Sequence, residues 1–221
     1  MKTLVVIPCY NEEKNINNLV NKINELNYDF LIINDCSIDN SEELLITRKM
    51  KHIKLVNNMG IANVTSIGFK YAKDYGYDNM IVIDGDGQHP PKYIENLITE
   101  LDKGVDFVVG SRFVNKKKPK SLRMLGSKIF CILIFLKTGV KVTDPTSGMR
   151  AFGKKLINNF SSDMNFIAEP DALVYIIRNK FSIKEVQVDM TSRIQGESYF
   201  SNPIKSIEFM ITTILSIVVM R

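Results

Sequence analysis

The stretch "MIVIDGDGQHPPKYIENL", residues 80–97, ends an apolar run on two carboxylates, Asp84 and Asp86, with one glycine between them. In an extended chain residues i and i+2 point the same way. Both carboxylates can therefore face one cleft, while Gly85 and Gly87 let the backbone curl around a cation. With the side-chain oxygen of Gln88 they form a sparse, hard-oxygen set, suited to Mg²⁺ or Mn²⁺ shared with substrate phosphates. Two other readings compete. Asp-Gly pairs are ordinary turn chemistry, but Pro90, Pro91 and the helical periodicity after them leave no partner strand for a hairpin. Asp84, Asp86, Gln88 and Glu95 also fall near the ligand positions of a calcium loop. That loop requires glycine where His89 stands, and the prolines would spoil its later turn. His89 itself reads as a loop-packing residue.

Other residues could join this chemistry. Asp35, after "FLIIN", could accept hydrogen bonds from a base or ribose; acids there are also normal turn residues. Gly60 in "NNMGIANVTSIGF" stands before a helical pattern, where backbone could approach a nucleotide, or simply turn the chain. Between Arg112 and Lys128 the chain is basic and carries no acid. Such a stretch can face phosphates or an anionic membrane surface, or form a solvated loop.

The elements that must place these residues alternate in type. "TLVVI", "FLIIN", "IKLV", "MIVID" and "DFVVG" read as strands, the unbroken apolar runs being those of strands buried on both faces. "NEEKNINNLVNKINEL" sets Ile16, Leu19, Val20, Ile23 and Leu26 on one helical face, with Asn11 as N-cap and Glu12 and Glu13 in the first turn. A second helix over "SEELLITRKM" can be capped by Ser41, and a third is closed by Gly76. A fourth, after the prolines, runs through Ile94, Leu97, Ile98 and Leu101. Alternation of this kind predicts an α/β fold, a mostly parallel sheet with helices on both faces. Ligands of such sheets bind beyond the carboxyl ends of the strands. "PCYNEE", "NDCSIDN" and "DGDGQHPP" follow strands one, two and four, so all three loops should open onto one crevice. A dinucleotide-binding domain needs a glycine-rich loop after strand one; "IPCYNEE" has no glycine, which excludes the redox reading.

The 221 residues suffice for one large domain, with 45% apolar and 24% charged residues and a net charge of +5. Cys9, Cys36 and Cys131 lack metal-ligand spacing and point to a reducing compartment. The opening apolar run is too short for a signal peptide, so a cytoplasmic main body is expected. "IFCILIFL" (129–136) and the terminal "FMITTILSIVVMR" are apolar but short of the roughly 20 residues that span a bilayer. They read as buried core helices, as helices lying on a membrane surface, or as the approach to a longer membrane segment.

Together, "VVIPCYNEE", "NDCSIDNS", "NNMGIANVTSIGF", "DGDGQHPP", "GSRF", "DPTSGMRAF" and "AEPDALVYIIRNKFSIKEVQVDMTSRIQGES" match in order and spacing the motifs of family 2 glycosyltransferases of GT-A fold. Within that family the chain most resembles the polyprenyl-phosphate, dolichol-phosphate mannose synthase-like branch. The resemblance implies a hexosyltransferase-type enzyme whose GT-A domain covers 1–202, with a Rossmann-like sheet. Residues 1–110 would bind the nucleotide-sugar and 111–202 the acceptor, and 203–221 would form an apolar C-terminal helix able to meet a membrane. Pro8, Tyr10, Glu12 and Asp35 would line the nucleotide site, with Gly60 near the donor. Asp84, Asp86 and Gln88 would hold Mg²⁺ or Mn²⁺ on the diphosphate. Arg112 and Arg123 would clamp an acceptor phosphate, and Arg193 would belong to a loop closing over the donor. Asn34 stands where the family usually has the first of two Asp, and Asn40 where glycine is common, so altered nucleotide contacts are expected.

The implied partners are a nucleotide-diphosphate sugar, a polyprenyl-phosphate or glycan acceptor, and a membrane surface or membrane protein on the inner face of the cell membrane; no nucleic acid is implied. A phosphate acceptor is already anionic and needs steering, whereas a sugar hydroxyl must lose a proton to a base. Candidate bases are Asp144 in "TDPTSGMR" and Glu169 and Asp171 in "AEPD". Asp144 could instead cap a turn, Glu169 could open a helix, and either could position the acceptor or Arg150. Transfer to a sugar hydroxyl in polysaccharide or glycolipid assembly is therefore the alternative. A non-catalytic nucleotide-sugar-binding partner of a membrane complex is a third.

Overall fold

The computed structural model describes residues 1–162, 169–191 and 203–219. The five apolar runs become β1 (Thr3–Cys9), β2 (Asp29–Asn34), β3 (His52–Lys54), β4 (Asn79–Val82) and β5 (Phe107–Ser111). Two further strands complete a 7-stranded sheet: β6 (Arg150–Gly153) and β7 (Ile183–Gln187). The order is β3-β2-β1-β4-β6-β5-β7. Pairings of β1 with β2 and β4, of β2 with β3 and of β5 with β7 are parallel. Among the described strands only β6 runs against its neighbours, with Arg150 opposite both Val82 and Val109.

Alternation along the strands divides the core in two. Leu4, Val6, Met80 and Val82 meet Phe69 of α3 (Gly60–Asp74), Phe160 of α6 (Lys154–Phe160), Phe130 of α5 (Leu122–Thr138) and Val174 of α7 (Glu169–Arg178). Val5, Ile7 and Ile81 meet Val20 of α1 (Ile16–Glu25), Leu45 of α2 (Ser41–Thr47) and Leu97 of α4 (Ile94–Asp102). Each fully buried side chain of this kind stabilises the fold by about 1.5–3 kcal/mol. The same packing makes the sheet a rigid base for the loops at its carboxyl edge.

Two helix starts differ from expectation for one reason. Asn11 does not cap α1: it sits at φ +58°, its N–H donates to Ser37 Oγ (3.0 Å), and its Oδ1 accepts from Ile38 N (2.9 Å). The helix starts later, at Ile16, and Leu26 falls beyond its end, 42% exposed. Ser41 likewise does not cap α2; its buried Oγ accepts from Glu12 N at 3.0 Å. The side chains that local spacing assigned to caps instead tie the β1–α1 loop to the β2–α2 loop. Gly76 does close α3, at φ +68°, with Tyr77 N bonded back to Ala72 O (2.9 Å).

The apolar segments form α5 and α8 (Pro203–Val219), which pack together and against α7. Phe130, Ile134 and Ile217 face inward, whereas Ile132, Phe135, Leu136, Ile211 and Leu215 remain exposed. The core reading thus holds for one face of each helix, and the other face is exposed. Among the described residues no helix is long and apolar enough to cross a membrane.

Candidate active site

Beyond β4 the chain keeps its ladder to β1: Ile83 N donates to Val6 O (3.1 Å) and Gly85 N to Pro8 O (3.2 Å). A Cβ on Gly85 would stand 2.8 Å from Pro8 O, so only glycine lets the acidic loop lie this close to β1. Asp84 packs its carboxylate against Gly148, where any Cβ would collide with it. Asp86 is buried and accepts from Gln88 N at 2.9 Å. Thr191 covers the loop, its N donating to Gln88 O (3.0 Å) and its Oγ1 to Gly87 O (3.1 Å). Register and bulk thus hold Asp84 and Asp86 at the sheet edge.

Beneath them lies His89, 1% exposed. No group among the described residues hydrogen-bonds either ring nitrogen, and Nδ1 stands 3.9 Å from Asp84 Oδ2. Burial pushes the imidazole pKa down to about 4, against the pull of the Asp86 carboxylate and with the help of the Arg112 charge. A buried polar group left unsatisfied costs on the order of 1–3 kcal/mol.

Among the described residues no three His, Cys, Asp or Glu side chains cluster so as to hold a metal by themselves. Two acids and an amide do fit a hard cation whose remaining positions are filled by substrate phosphates and water. The glycine-lined approach of the loop and the unpartnered imidazole behind it agree with that use.

Across the crevice Arg112, just after β5, is held in a fork. Its Nε and Nη2 donate to Asp144 Oδ2 (2.6 Å) and Oδ1 (2.7 Å), and its backbone N also donates to Oδ2 (3.0 Å). Asp144 is fully buried and Arg112 15% exposed at the side chain. Glu185 of β7 sets the carboxylate, accepting from Thr143 N and Asp144 N at 2.8–2.9 Å. Gln187, two residues on along the same strand, donates to Arg112 O (3.1 Å) and accepts from Asn115 N (2.9 Å). Arg150 uses Nε on Ser147 O (2.7 Å).

Arg123, in the first turn of α5, lies in the field of Arg112, Asp144, Asp86 and Asp84. The residue is exposed, but its head group is recessed; this loss of hydration, together with the like charge of Arg112, lowers its pKa.

The nucleotide-side candidates have their own ties. Asp35 holds the start of α3, accepting from Met59 N (2.7 Å) and Gly60 N (2.9 Å). Gly60, at φ +80°, thus meets a carboxylate of the chain itself. Glu12 is buried and accepts from Asn15 Nδ2 at 2.7 Å; Tyr10, just after β1, is 45% exposed. Asn34, fully buried, donates to Glu42 Oε2 (2.6 Å) and accepts from Ser37 N (3.0 Å).

The structure thus brings Asp84, Asp86, Arg112, Arg123 and Asp144 into one electrostatic neighbourhood. Asp171 is placed differently: fully buried, it takes Ser216 Oγ of α8 at 2.6 Å. Glu169 opens α7. Arg193 lies outside the described residues. Sequence reading missed Gly148, Glu185 and Gln187. The last two share a strand face at i, i+2 in "IKEVQ", a signal that was available.

Residues 4–160 match the model of the glycosyl transferase family 2. The chain is 32% identical to UDP-N-acetylglucosamine–dolichyl-phosphate N-acetylglucosaminyltransferase of Methanococcus voltae, over 83% of each chain. It is also 32% identical to dolichol-phosphate mannosyltransferase of Pyrococcus furiosus, over 90% of this chain and 59% of that one. The fold superposes on glucosyl-3-phosphoglycerate synthase of Mycobacterium tuberculosis, solved with Mn²⁺, uridine diphosphate and phosphoglyceric acid. There the TM-score is 0.73 at 18% identity, covering 100% of this chain and 79% of the other. With the match over 4–160, the GT-A architecture and these relatives, the chain belongs to glycosyl transferase family 2 and is a glycosyltransferase.

Proposed function

We propose that this enzyme moves a sugar, with inversion, from a nucleoside-diphosphate donor to a polyprenyl-phosphate carrier, using Mg²⁺ or Mn²⁺ at Asp84, Asp86 and Gln88. The observation that carries the reading is the Arg112–Asp144 fork. Asp144 is the candidate base beside the acidic loop, and both its oxygens are committed to a guanidinium at 2.6–2.7 Å. A carboxylate so engaged is a poor proton acceptor but a good mount for a cation. Of the five N–H donors of Arg112, those not given to Asp144 or, at 3.4 Å, to Thr146 Oγ1 can take an anion, and Arg123 adds a second charge. An acceptor phosphate needs this steering and no deprotonation.

On the donor side, residues 1–110 form the nucleotide-sugar half, with Pro8, Tyr10, Glu12, Asp35 and Gly60 lining the nucleotide. Residues 111–202 form the acceptor half, with Arg193 closing over the donor. A divalent cation supplies Lewis-acid stabilisation of the charge gathering on the departing diphosphate, worth several kcal/mol. The chain's own part is to fix Asp84 through Gly148 packing, to hold the acidic loop against β1, and to aim Arg112. The exposed apolar faces of α5 and α8, with Lys128 and Lys137 beside them, support docking on the inner face of the cell membrane. Both curated relatives are named for transfer to dolichol-type phosphate, which agrees with this reading.

Purified protein incubated with Mn²⁺, polyprenyl phosphate and a panel of labelled nucleotide sugars should yield a lipid-linked sugar from one of them. No lipid-linked product with any common donor overturns the proposal. Glu169→Gln separates the alternative: a collapse in turnover with intact donor binding would identify a hydroxyl acceptor.

A further inference from the structure

His89 is the one described ionisable side chain buried in this region with no hydrogen-bond partner at all. It sits under the acidic loop, with Nδ1 3.9 Å from Asp84 Oδ2. That gap exceeds a hydrogen bond by less than an ångström, roughly what a small side-chain rotation closes. The same oxygen packs against Gly148, so a backbone wall and an imidazole edge both border the Asp84 carboxylate. Asp86 exerts the strongest attraction on the ring, and Arg112, Asp144 and Arg150 also face it.

We propose that His89 is a positioning residue whose ring N–H hydrogen-bonds the Asp84 carboxylate and fixes its orientation for a divalent cation. The inference rests on Asp84 and Asp86 being the cation site. Ligand carboxylates are themselves oriented by hydrogen bonds from a surrounding shell, and losing one such partner typically costs 10–100-fold in metal affinity. At 1% exposure the ring is closed off from solvent, whereas the Asp84 side chain keeps 37% exposure, so the carboxylate and not the imidazole is open to an arriving diphosphate. This places it behind a ligand and not among the ligands. The role also accounts for a polar ring kept in a packed loop where an apolar one would avoid the cost of unsatisfied nitrogens.

The test is Mn²⁺ binding, alone and with uridine diphosphate, followed by the electron paramagnetic resonance signal of the free ion. His89→Phe should weaken binding 10–100-fold. His89→Asn, which keeps a donor near the Nδ1 position, should stay within about threefold of wild type. Melting without added metal should show His89→Phe as stable as wild type or more so, since it removes two unsatisfied nitrogens; a merely packing role would not combine this with lost affinity. In ¹⁵N-histidine-labelled wild type, Mg²⁺ should shift the His89 N–H proton downfield. Equal Mn²⁺ affinity in wild type and His89→Phe overturns the inference alone. Direct ¹⁵N–Mn²⁺ hyperfine coupling overturns it too, by making His89 a ligand. A wild type that binds no Mn²⁺ overturns the cation site and the inference with it.

Discussion

Carboxylates fasten both walls of the crevice, but to different partners. On the wall formed by β1, β2 and the start of α3 they hold main-chain amides: Asp35 takes Met59 and Gly60, Asp39 takes Ser41 and Glu13, and Glu13 takes Asn40. On the wall formed by β5 and β6, Asp144 holds the Arg112 guanidinium, and Glu185 holds the amides that set Asp144. An acid tied to amides shapes a loop and leaves its negative charge in place. An acid tied to an arginine anchors a positive group. On the proposed reading the first wall would take a diphosphate through a bound cation, whereas the second brings a positive group of its own.

The widest break in that comparison should come from Asp86→Asn. If the donor wall depends on a cation, turnover at saturating donor and Mn²⁺ should fall by about 10²–10⁴-fold, and the Mn²⁺-dependent rise in melting temperature with uridine diphosphate should vanish. On the opposite wall, Asp144→Asn strands Arg112 beside a neutral partner. Removing one member of a buried pair typically costs about 3–5 kcal/mol, readable by urea denaturation, and the acceptor KM should rise more than the donor KM. A donor KM that rises more would place Arg112 on the wrong wall. Asp35→Ala unties two amides at the start of α3 and should cost about 1–2 kcal/mol in the same assay. A loss below about 0.3 kcal/mol would show that the tie does not hold the loop.

The smallest effect is one of pH. Burial, then the nearby Glu12 charge, pushes the Cys9 thiol from 9.0 up to about 12. Above pH 9 the thiol ionises in the unfolded chain and not in the folded one, so stability falls as pH rises from there to about 12. The slope contributed approaches about 1.4 kcal/mol per pH unit. Urea titrations at pH 8 and 10 should therefore show a smaller loss for Cys9→Ala than for wild type; equal losses would remove Cys9 as the cause.

Much of the frame was legible because β1, β2, β4 and β5 are covered on both faces, and double burial writes itself as unbroken apolar runs. The convergence of three loops followed from the parallel order alone. β6 was not legible: "RAFG" is 4 residues long, and its reversed direction is set by Val82 and Val109, far away in sequence. β7, an edge strand, carries Glu185 and Gln187 in "IKEVQ", which serve Asp144 and Arg112. Arg112 and Asp144 were each suspect by type, but a pairing across |i−j|=32 is a property of the sheet and not of either segment. Asn11 and Ser41 misled because a cap and a loop tie use the same side-chain oxygen; only the neighbouring loop decides which it makes.

The reversed strand β6 has one more consequence. Because β5 ends at Ser111 and β6 begins at Arg150 beside it, the chain leaves the rim and returns to the same place. Residues 112–149, with Arg112, Arg123, Asp144 and Gly148, form a closed excursion whose two ends are fixed by one strand pair. Such a segment answers to the rest of the molecule as one unit: through Gly148 it bears on Asp84, and through Arg112 and Asp144 on β7, so a change of its length or path would be felt on both walls at once.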